Sequence, residues 1–280
     1  MNKLSVEKQT LILSLLSEGN SIRSVARISG ADRNTVTSLL VNAGERAQEI
    51  LDREMTNLKL SNLQVDEIWT FVAKKQAMLT KEEKRNQELG DQYVFVALDA
   101  DTKLIPAFRV GKRTGELARS FIVELQTRIM TRFQLSTDAF SGYSEAVDKV
   151  FGSDIDYGQI HKQYTDEQRN EHRYSPGNII RITKRVLLGE PIQKNISTSY
   201  VERQNLTMRM QMRRFTRLTN AFSKKLDNLK AALALYFFHY NFMRIHQTLR
   251  ATPAMEAGIS KHLWTWEEFL GFGAQQSQAA

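Results

Sequence analysis

Three acidic residues occur where a carboxylate could do chemistry. Asp66 lies inside the β-forming run VDEIWTFV, Asp138 precedes the letters AFSGY, and Glu202 lies in NISTSYVERQNLTMRM. An acid in an apolar strand is costly to bury unless something charged binds it, which favours a catalytic role for Asp66 over a place on an exposed strand edge. Because Mg²⁺ prefers carboxylate oxygens and water, the three residues are candidate ligands for metal-dependent phosphoryl transfer.

Each acid also has an ordinary structural role open to it. Ser199 and Glu202 have the spacing of a capping box, in which the two side chains bond to the first free N–H groups of a helix. Asp138 could cap a helix or a turn. Two other acids compete as ligands: Asp99, whose surroundings are typical of a turn, and Glu67, which alternation places on the opposite face of the strand from its neighbour.

The basic residues are concentrated in one segment. The chain has a net charge of +8 and a pI near 9.6, and residues 181–225 contain eleven Lys and Arg against two Glu, a net charge of +9. Such an excess predicts a polyanion partner, because each neutralised phosphate releases condensed counterions. The alternative is a solvated charged face. The arginines of this segment that we expect to bind DNA are Arg203, Arg209, Arg213, Arg214 and Arg217.

The elements that must position the acids follow from hydrophobic periodicity. The predicted elements are strands over 64–72, 93–99, 103–110 and 133–138, with helices over 115–132 and 142–151. Three strands followed by a helix, a strand and a helix is the order of the ribonuclease-H-like fold, an α/β fold with a mixed sheet and flanking helices. In that fold the first and fourth strands are neighbours, so Asp66 and Asp138 would approach each other. Glu202, in the first turn of the next long helix, can reach the same end of the sheet.

The pattern also divides the chain. The predicted parts are a helix-turn-helix DNA-binding domain over 1–44, a helical linker over 45–62, the ribonuclease-H-like catalytic domain over 63–245 and a C-terminal segment over 246–280 with a disordered tail. Residues 152–197 are polar and contain two histidines and two prolines, so we interpret them as an insertion.

The first region has the pattern of a helix-turn-helix behind a leading helix. Gly30 makes a turn between two short helices, and Asp32 can cap the second of them. The exposed face of that helix would offer Arg33, Asn34 and Thr37 to base edges. A plain three-helix bundle without DNA contacts has the same pattern, so this region alone leaves the choice open.

Composition excludes several classes of protein. The chain has no cysteine, which rules out disulfides and thiolate zinc fingers and fits a cytoplasmic protein. No stretch approaches about 18 uncharged apolar residues, and the start lacks the apolar region of a signal peptide. We therefore expect a cytoplasmic chain that does not bind membranes.

Four motifs occur in order: VDEIWTFV, TDAFSGYSEAV, STSYVERQNLTMRM and YNFMRIHQTLRATPAM. Together they resemble bacterial insertion-sequence transposases with an Asp-Asp-Glu triad, of the IS-one type. The resemblance implies a retroviral-integrase-like catalytic domain that cuts and joins transposon ends with two Mg²⁺ ions, for which Mn²⁺ can substitute. Carried over by motif, the triad falls on Asp66, Asp138 and Glu202. Arg244 and His246 of the last motif could position the scissile strand, or they could form a polar pair packed against aromatic residues.

Two departures from the family pattern stand out. Asp138 and Glu202 are 64 residues apart, which is wider than in many integrase-like enzymes. The chain also cannot hold the cysteine-based zinc element of some IS-one-type proteins, so the helix-turn-helix would recognise the ends by itself. The resemblance implies double-stranded DNA as the partner, both terminal inverted repeats and target DNA. It also implies a homodimer or higher homo-oligomer on paired ends, located at the bacterial nucleoid.

Two other functions remain compatible with the sequence. A DNA-binding regulator could keep the helix-turn-helix and use a non-catalytic ribonuclease-H-like domain for assembly. A structure-specific nuclease could cut DNA without joining it. Strand-transfer products would separate the transposase from both.

Overall fold

The strand that carries Asp66 lies inside a mixed sheet. The computed structural model describes residues 4–164, 178–217 and 219–272. The strands are β1 (Asn62–Val72), β2 (Gly90–Asp99), β3 (Phe108–Gly111), β4 (Gln134–Thr137), β5 (Asp156–Tyr164) and β6 (Ile179–Leu188). They form one six-stranded sheet in the order β3-β2-β1-β4-β5-β6, so β1 has a neighbour on both sides.

The pairing of the strands confirms the predicted fold class. β2 is antiparallel to both β1 and β3, which is the predicted meander. β4 runs parallel to β1, β5 runs parallel to β4, and β6 is antiparallel to β5. This order is that of the ribonuclease-H-like fold. Asp66 and Asp138 are therefore carried by adjacent strands, the second of them directly after the end of β4.

The sheet includes part of the stretch that we predicted as an insertion, residues 152–197. β5 pairs with β4, and its residues Tyr157 and Ile160 are buried, so this part belongs to the sheet rather than to an insertion outside it. The polar sequence misleads because the second half of β5 lines an open cleft and because β6 is an exposed edge strand. Residues 165–177 of the same stretch lie outside the described residues.

Helices cover both faces of the sheet. The helices of the described ranges are α1 (Val6–Ser17), α2 (Ile22–Ser29), α3 (Arg33–Glu54), α4 (Gly115–Arg128), α5 (Ser141–Phe151), α6 (Ser199–Gln211), α7 (Leu226–Phe238), α8 (Pro253–Glu256) and α9 (Trp266–Phe269). α6 packs against β1, where the Gln64 side chain accepts a hydrogen bond from the Tyr200 backbone N–H at 2.8 Å. On the opposite face, Phe95 of β2 packs against Phe121 of α4 and Tyr143 of α5. In the described ranges, no helix is both long and apolar enough to cross a bilayer.

α3 continues through the predicted domain boundary at residue 44. Its small residues face α7 so closely that a Cβ on Gly44 would lie 2.4 Å from the Cα of Ala231. Ala47 and Leu51 on the same helix are buried in the main hydrophobic core. The segment predicted as a helical linker, 45–62, is therefore helical to Glu54 and packs on α7 and the main core, because small side chains let the two helices approach.

The turn at Gly30 and the cap at Asp32 form as predicted, and Ser21 caps the helix before them. Ser21 accepts a hydrogen bond from the Ser24 N–H at 3.0 Å at the start of α2, and Gly30 ends that helix with a φ of +65°. Asp32 accepts from the Asn34 N–H at 2.7 Å at the start of α3. A small core of Ile12, Val25 and Val36 holds the three helices together. DNA binding by this unit stays a prediction.

The C-terminal segment closes over the main core. After α7 a short π-helical turn, His239–Met243, places the buried Asn241 against the backbone of Ile105, where its amide donates to the carbonyl at 2.9 Å and accepts from the N–H at 3.1 Å. Trp266 and Phe269 of α9 are buried in the same core. The Gln/Ala tail predicted to be disordered falls at residues 273–280, outside the described residues.

Candidate active site

Asp66 is held from the α6 side of the sheet. The side chains of β1 point alternately to the two faces of the sheet, and the face that carries Asp66 lies against α6. There the amide of Asn205 donates a hydrogen bond to Asp66 Oδ2 at 2.8 Å. A neutral amide rather than a cation is thus bonded to this carboxylate.

Glu67 lies on the opposite face of β1, as alternation predicts. The hydroxyl of Tyr143, a residue of α5, donates to Glu67 Oε2 at 2.9 Å, and the guanidinium of Arg113 donates to Glu67 Oε1. A second nitrogen of Arg113 lies 3.7 Å from Asp138 Oδ2, so one cation links two of the acids. The Arg113 guanidinium itself lies over the ring of Phe140, 4.0 Å from its centroid.

The end of β4 brings the three acids together. β4 stops at Thr137, opposite Val65, so the next residues of β1 have no strand beside them on that side. Side chains from both faces can therefore reach the space beyond the end of β4. Asp66, Glu67 and Asp138 each offer a carboxylate oxygen there, and these oxygens lie within 4.8 Å of one another.

Glu67 belongs to the acidic group, although its place on the opposite face of β1 makes it the weaker candidate in the sequence. Alternation correctly predicts that Glu67 and Asp66 point to opposite faces, but it assumes that the sheet continues between them. The sequence does not show where β4 ends relative to β1. Asp138 directly follows the buried run QLST, and its parallel register with β1 would have been needed to see that Glu67 also borders this gap.

Asp138 stabilises a turn and also belongs to the acidic group. Its Oδ1 accepts a hydrogen bond from the Phe140 N–H at 3.0 Å, which is the turn role considered as an alternative. The other oxygen, Oδ2, is the one that lies near Arg113. The two roles therefore use different oxygens of one carboxylate and do not exclude each other.

Glu202 lines the same cleft from α6 but is absent from the closest group of acids. Its Oε1 accepts from the Thr198 hydroxyl at 2.5 Å and from the Lys162 ammonium on β5. The predicted capping box does not form: α6 starts after Thr198, and the Ser199 N–H donates to Ser197 Oγ at 3.2 Å. Glu202 is thus not engaged in helix capping, and its partner on β5 is a cation.

The electrostatics of the acidic group favour a bound cation. Burial raises the pKa of Asp66 to about 7, and the neighbouring charges of Glu67 and Asp138 add to that shift. Burial, and then the charge of Asp138, also raise the pKa of Glu67. Crowded, partly buried carboxylates repel one another unless protons or a metal neutralise them. Three hard oxygen donors at this separation fit Mg²⁺ or Mn²⁺.

The acids line a cleft of about 1040 Å³ that also contains cations, and we call it the acidic cleft. Arg113, Lys162, Arg209 and Arg217 contribute to its walls. Burial and the nearby Arg217 lower the pKa of Arg209 to about 10, which leaves its guanidinium protonated at neutral pH. Two of the arginines that we expected to bind DNA thus border the acids.

A second groove lies between the N-terminal helices and the turn after α6, and we call it the basic groove. Arg33, Asn34 and Thr37 line it together with Arg213 and Arg214. α6 ends at Gln211, and Arg213 and Arg214 lie on the turn that follows it. These two arginines therefore line the basic groove rather than the acidic cleft.

The remaining DNA-binding candidates differ in their surroundings. Arg214 is half-buried: its Nη1 donates to Ser223 Oγ at 3.2 Å, and burial lowers its pKa to about 10. Arg203 is exposed on α6 and lines neither the acidic cleft nor the basic groove.

Arg244 and His246 lie apart from the acids. Across the described ranges, neither residue lines the acidic cleft. The His246 N–H donates to the Ala251 carbonyl at 2.9 Å, and burial lowers the pKa of His246, with Lys103 and Arg244 adding to the shift. A role for either residue beside the scissile strand stays a prediction.

Comparison with known proteins found similarity only at the level of solved structures. No family profile matches the sequence, and no curated protein is significantly similar to it. The chain is similar to the Mos1 strand transfer complex (12% identity, TM-score 0.23), covering 53% of this chain and 56% of that one. It is also similar to the Mos1 transposase paired-end complex with left transposon end (10% identity, TM-score 0.22, 53% and 58% covered) and to a pre-cleavage Mos1 transpososome (10%, 0.20, 56% and 60%). The chain thus spans little more than half of each of these proteins, and such TM-scores are too low for an inference about function.

Proposed function

We propose that this chain is a DNA transposase of the IS-one type, whose motifs it resembles. It would bind the terminal inverted repeats of an insertion sequence and cut and join DNA strands in the acidic cleft. The observation that carries the proposal is the group of three carboxylates within 4.8 Å of one another at the end of β4. Such a group fits divalent cations, and arginines able to bind phosphate line the same cleft.

The acids have distinct places in this proposal. Asp66 and Asp138, with Glu67 beside them, would hold one Mg²⁺ or Mn²⁺ ion, and Glu202 would help hold a second from α6. Bound in pairs, such ions activate the attacking oxygen and stabilise the leaving oxygen of an in-line displacement. Asn205 fixes the orientation of the Asp66 carboxylate through its hydrogen bond.

The cations would hold the DNA. Arg209 and Arg217 border the acids, so they would contact phosphates next to the scissile bond. Arg213 and Arg214, in the basic groove, would contact phosphates further along the duplex, where Arg33, Asn34 and Thr37 could reach base edges. Arg203, exposed on α6, would add a peripheral phosphate contact. A homodimer or larger assembly, located at the bacterial nucleoid, would bring two ends together.

A cleavage and joining assay tests the function. Wild-type protein, a duplex carrying the element's end and a target plasmid should give strand-transfer products with Mg²⁺ or Mn²⁺ and none with EDTA. Asp66→Asn, Asp138→Asn and Glu202→Gln should bind the duplex but give no product. Cleavage without joining would identify a nuclease instead. Binding without cleavage in either metal would identify a regulator and contradict the proposal.

A further inference from the structure

The side-chain amide of Asn205 is hydrogen-bonded through its nitrogen but, among the described residues, not through its oxygen. Its Nδ2 donates to Asp66 Oδ2 at 2.8 Å, whereas no donor among the described residues reaches its Oδ1. The residue is 8% exposed and lines the acidic cleft. Buried amide oxygens in proteins are almost always bonded, and leaving one without a partner costs about 1–3 kcal/mol. A ligand that supplies the missing partner would remove this cost.

The position of Asn205 on α6 limits what that ligand can be. Asn205 follows Glu202 by three residues, so the two side chains lie on the same face of the helix. Asp66, bonded to the amide, lies on the sheet beneath them. Three oxygen-bearing side chains, two of them acidic, therefore border one part of the cleft, and oxygen atoms of this kind bind hard cations.

The ammonium group of a lysine side chain already lies in this part of the cleft. The Lys162 ammonium, extending from β5, donates to Glu202. On the other side of Asp66, Arg113 holds Glu67 and lies near Asp138. Each side of Asp66 thus attracts positive charge, and among the described residues that line the acidic cleft, the amide oxygen without a donor is that of Asn205, on the side of α6.

We infer that Asn205 Oδ1 is a ligand for a divalent cation held between Asp66 and Glu202, and that Lys162 fills this position when the cation is absent. The inference rests on the proposed function, because it assigns a further ligand to the same cleft. Its chemistry is that of a hard, oxygen-binding cation such as Mg²⁺ or Mn²⁺, bound directly by the amide oxygen.

Titration calorimetry with Mn²⁺ on the full-length, metal-free protein tests this assignment without depending on activity. Asn205→Ala removes the oxygen and should weaken Mn²⁺ binding at least about tenfold or remove one bound equivalent. Asn205→Asp keeps an oxygen at the same place and should bind Mn²⁺ as tightly as the wild type or more tightly. Gln204→Ala is the matched control, since this neighbouring buried amide donates to the Tyr236 hydroxyl at 3.1 Å and should bind within twofold of the wild type.

Each outcome decides the question. Unchanged binding in Asn205→Ala would overturn the assignment. So would equal weakening in both Asn205 variants, because Asn205 would then act only as the donor to Asp66. If thermal unfolding in EDTA shows that Asn205→Ala is unfolded, Asn205→Asp decides alone: retained affinity supports the ligand, and lost affinity excludes it. A wild-type protein that binds no Mn²⁺ would instead remove the metal from the proposed function as well.

Discussion

The acidic cleft and the basic groove both contain arginines, but they differ in what accompanies those arginines. In the acidic cleft, Arg113 and Lys162 are bonded to carboxylates. In the basic groove, the described lining residues include five Lys and Arg and no acid. The first arrangement fits metal ions, whereas the second has cations without carboxylate ligands and fits the proposed role in DNA binding alone. Charge alone therefore does not distinguish chemistry from binding; the presence of crowded acids does.

The largest expected effect comes from removing an acid. Asp66→Asn should reduce metal-dependent DNA cleavage by about 10³-fold, because metal stabilisation of the transition state is worth several kcal/mol and each 1.36 kcal/mol is tenfold in rate. DNA affinity should not decrease, since no positive charge is lost. Single-turnover cleavage together with filter binding measures both quantities. Asp101→Asn, an exposed acid remote from the cleft, is the control and should cleave normally.

The basic groove should show the opposite behaviour. Replacing the exposed Arg213 and Lys224 by alanine should weaken DNA binding and reduce the slope of log affinity against log salt by about 2. Mn²⁺ affinity should not change, because the groove is separate from the acids. Salt titrations of duplex binding provide the measurement. Lys81→Ala, in an exposed loop, should leave the slope unchanged, and an altered Mn²⁺ affinity in the double variant would break the comparison.

The acidic cleft should also make stability depend on pH. Asp66 has an ordinary pKa of 3.8 when unfolded and about 7 in the folded protein, so the folded state binds its proton more tightly. The metal-free protein should therefore lose stability as pH rises between about 4 and 7, by a few degrees in Tm. Saturating Mn²⁺ should reverse this trend, because it favours the ionised acid. Differential scanning calorimetry of wild type and Asp66→Asn checks it; an equally steep pH dependence in the variant would show that another group is responsible.

The smallest expected effect concerns Lys162. If its ammonium takes the place of a metal beside Glu202, Lys162→Met should strengthen Mn²⁺ binding by a factor of about 2–5, the size of a partly exposed ion pair. Titration calorimetry at constant ionic strength measures this. Lys149→Met removes a more exposed ion pair with Glu145 on α5, outside the acidic cleft, and should have no effect. Weaker Mn²⁺ binding in Lys162→Met would contradict this role of Lys162.

The sequence was sufficient to predict the elements that carry the acids, but not where neighbouring strands end. The apolar run around Asp66 predicts β1 well, since periodicity is a local property. Glu67 can reach the other acids because β4 ends beside Val65, and Arg213 lies in the basic groove because α6 ends at Gln211. Packing sets both of these endings. The polar residues of β5 were misread as an insertion because a strand that lines a cleft lacks an apolar pattern along its full length.

Anomalous scattering from crystals grown with Mn²⁺ tests the central claim most directly. The account predicts an anomalous peak within bonding distance of carboxylate oxygens of Asp66 and Asp138, no peak in the basic groove, and loss of the acidic-cleft peak in Asp66→Asn. A wild-type crystal saturated with Mn²⁺ that shows no peak between these acids would contradict the assignment of the acidic cleft as a metal centre.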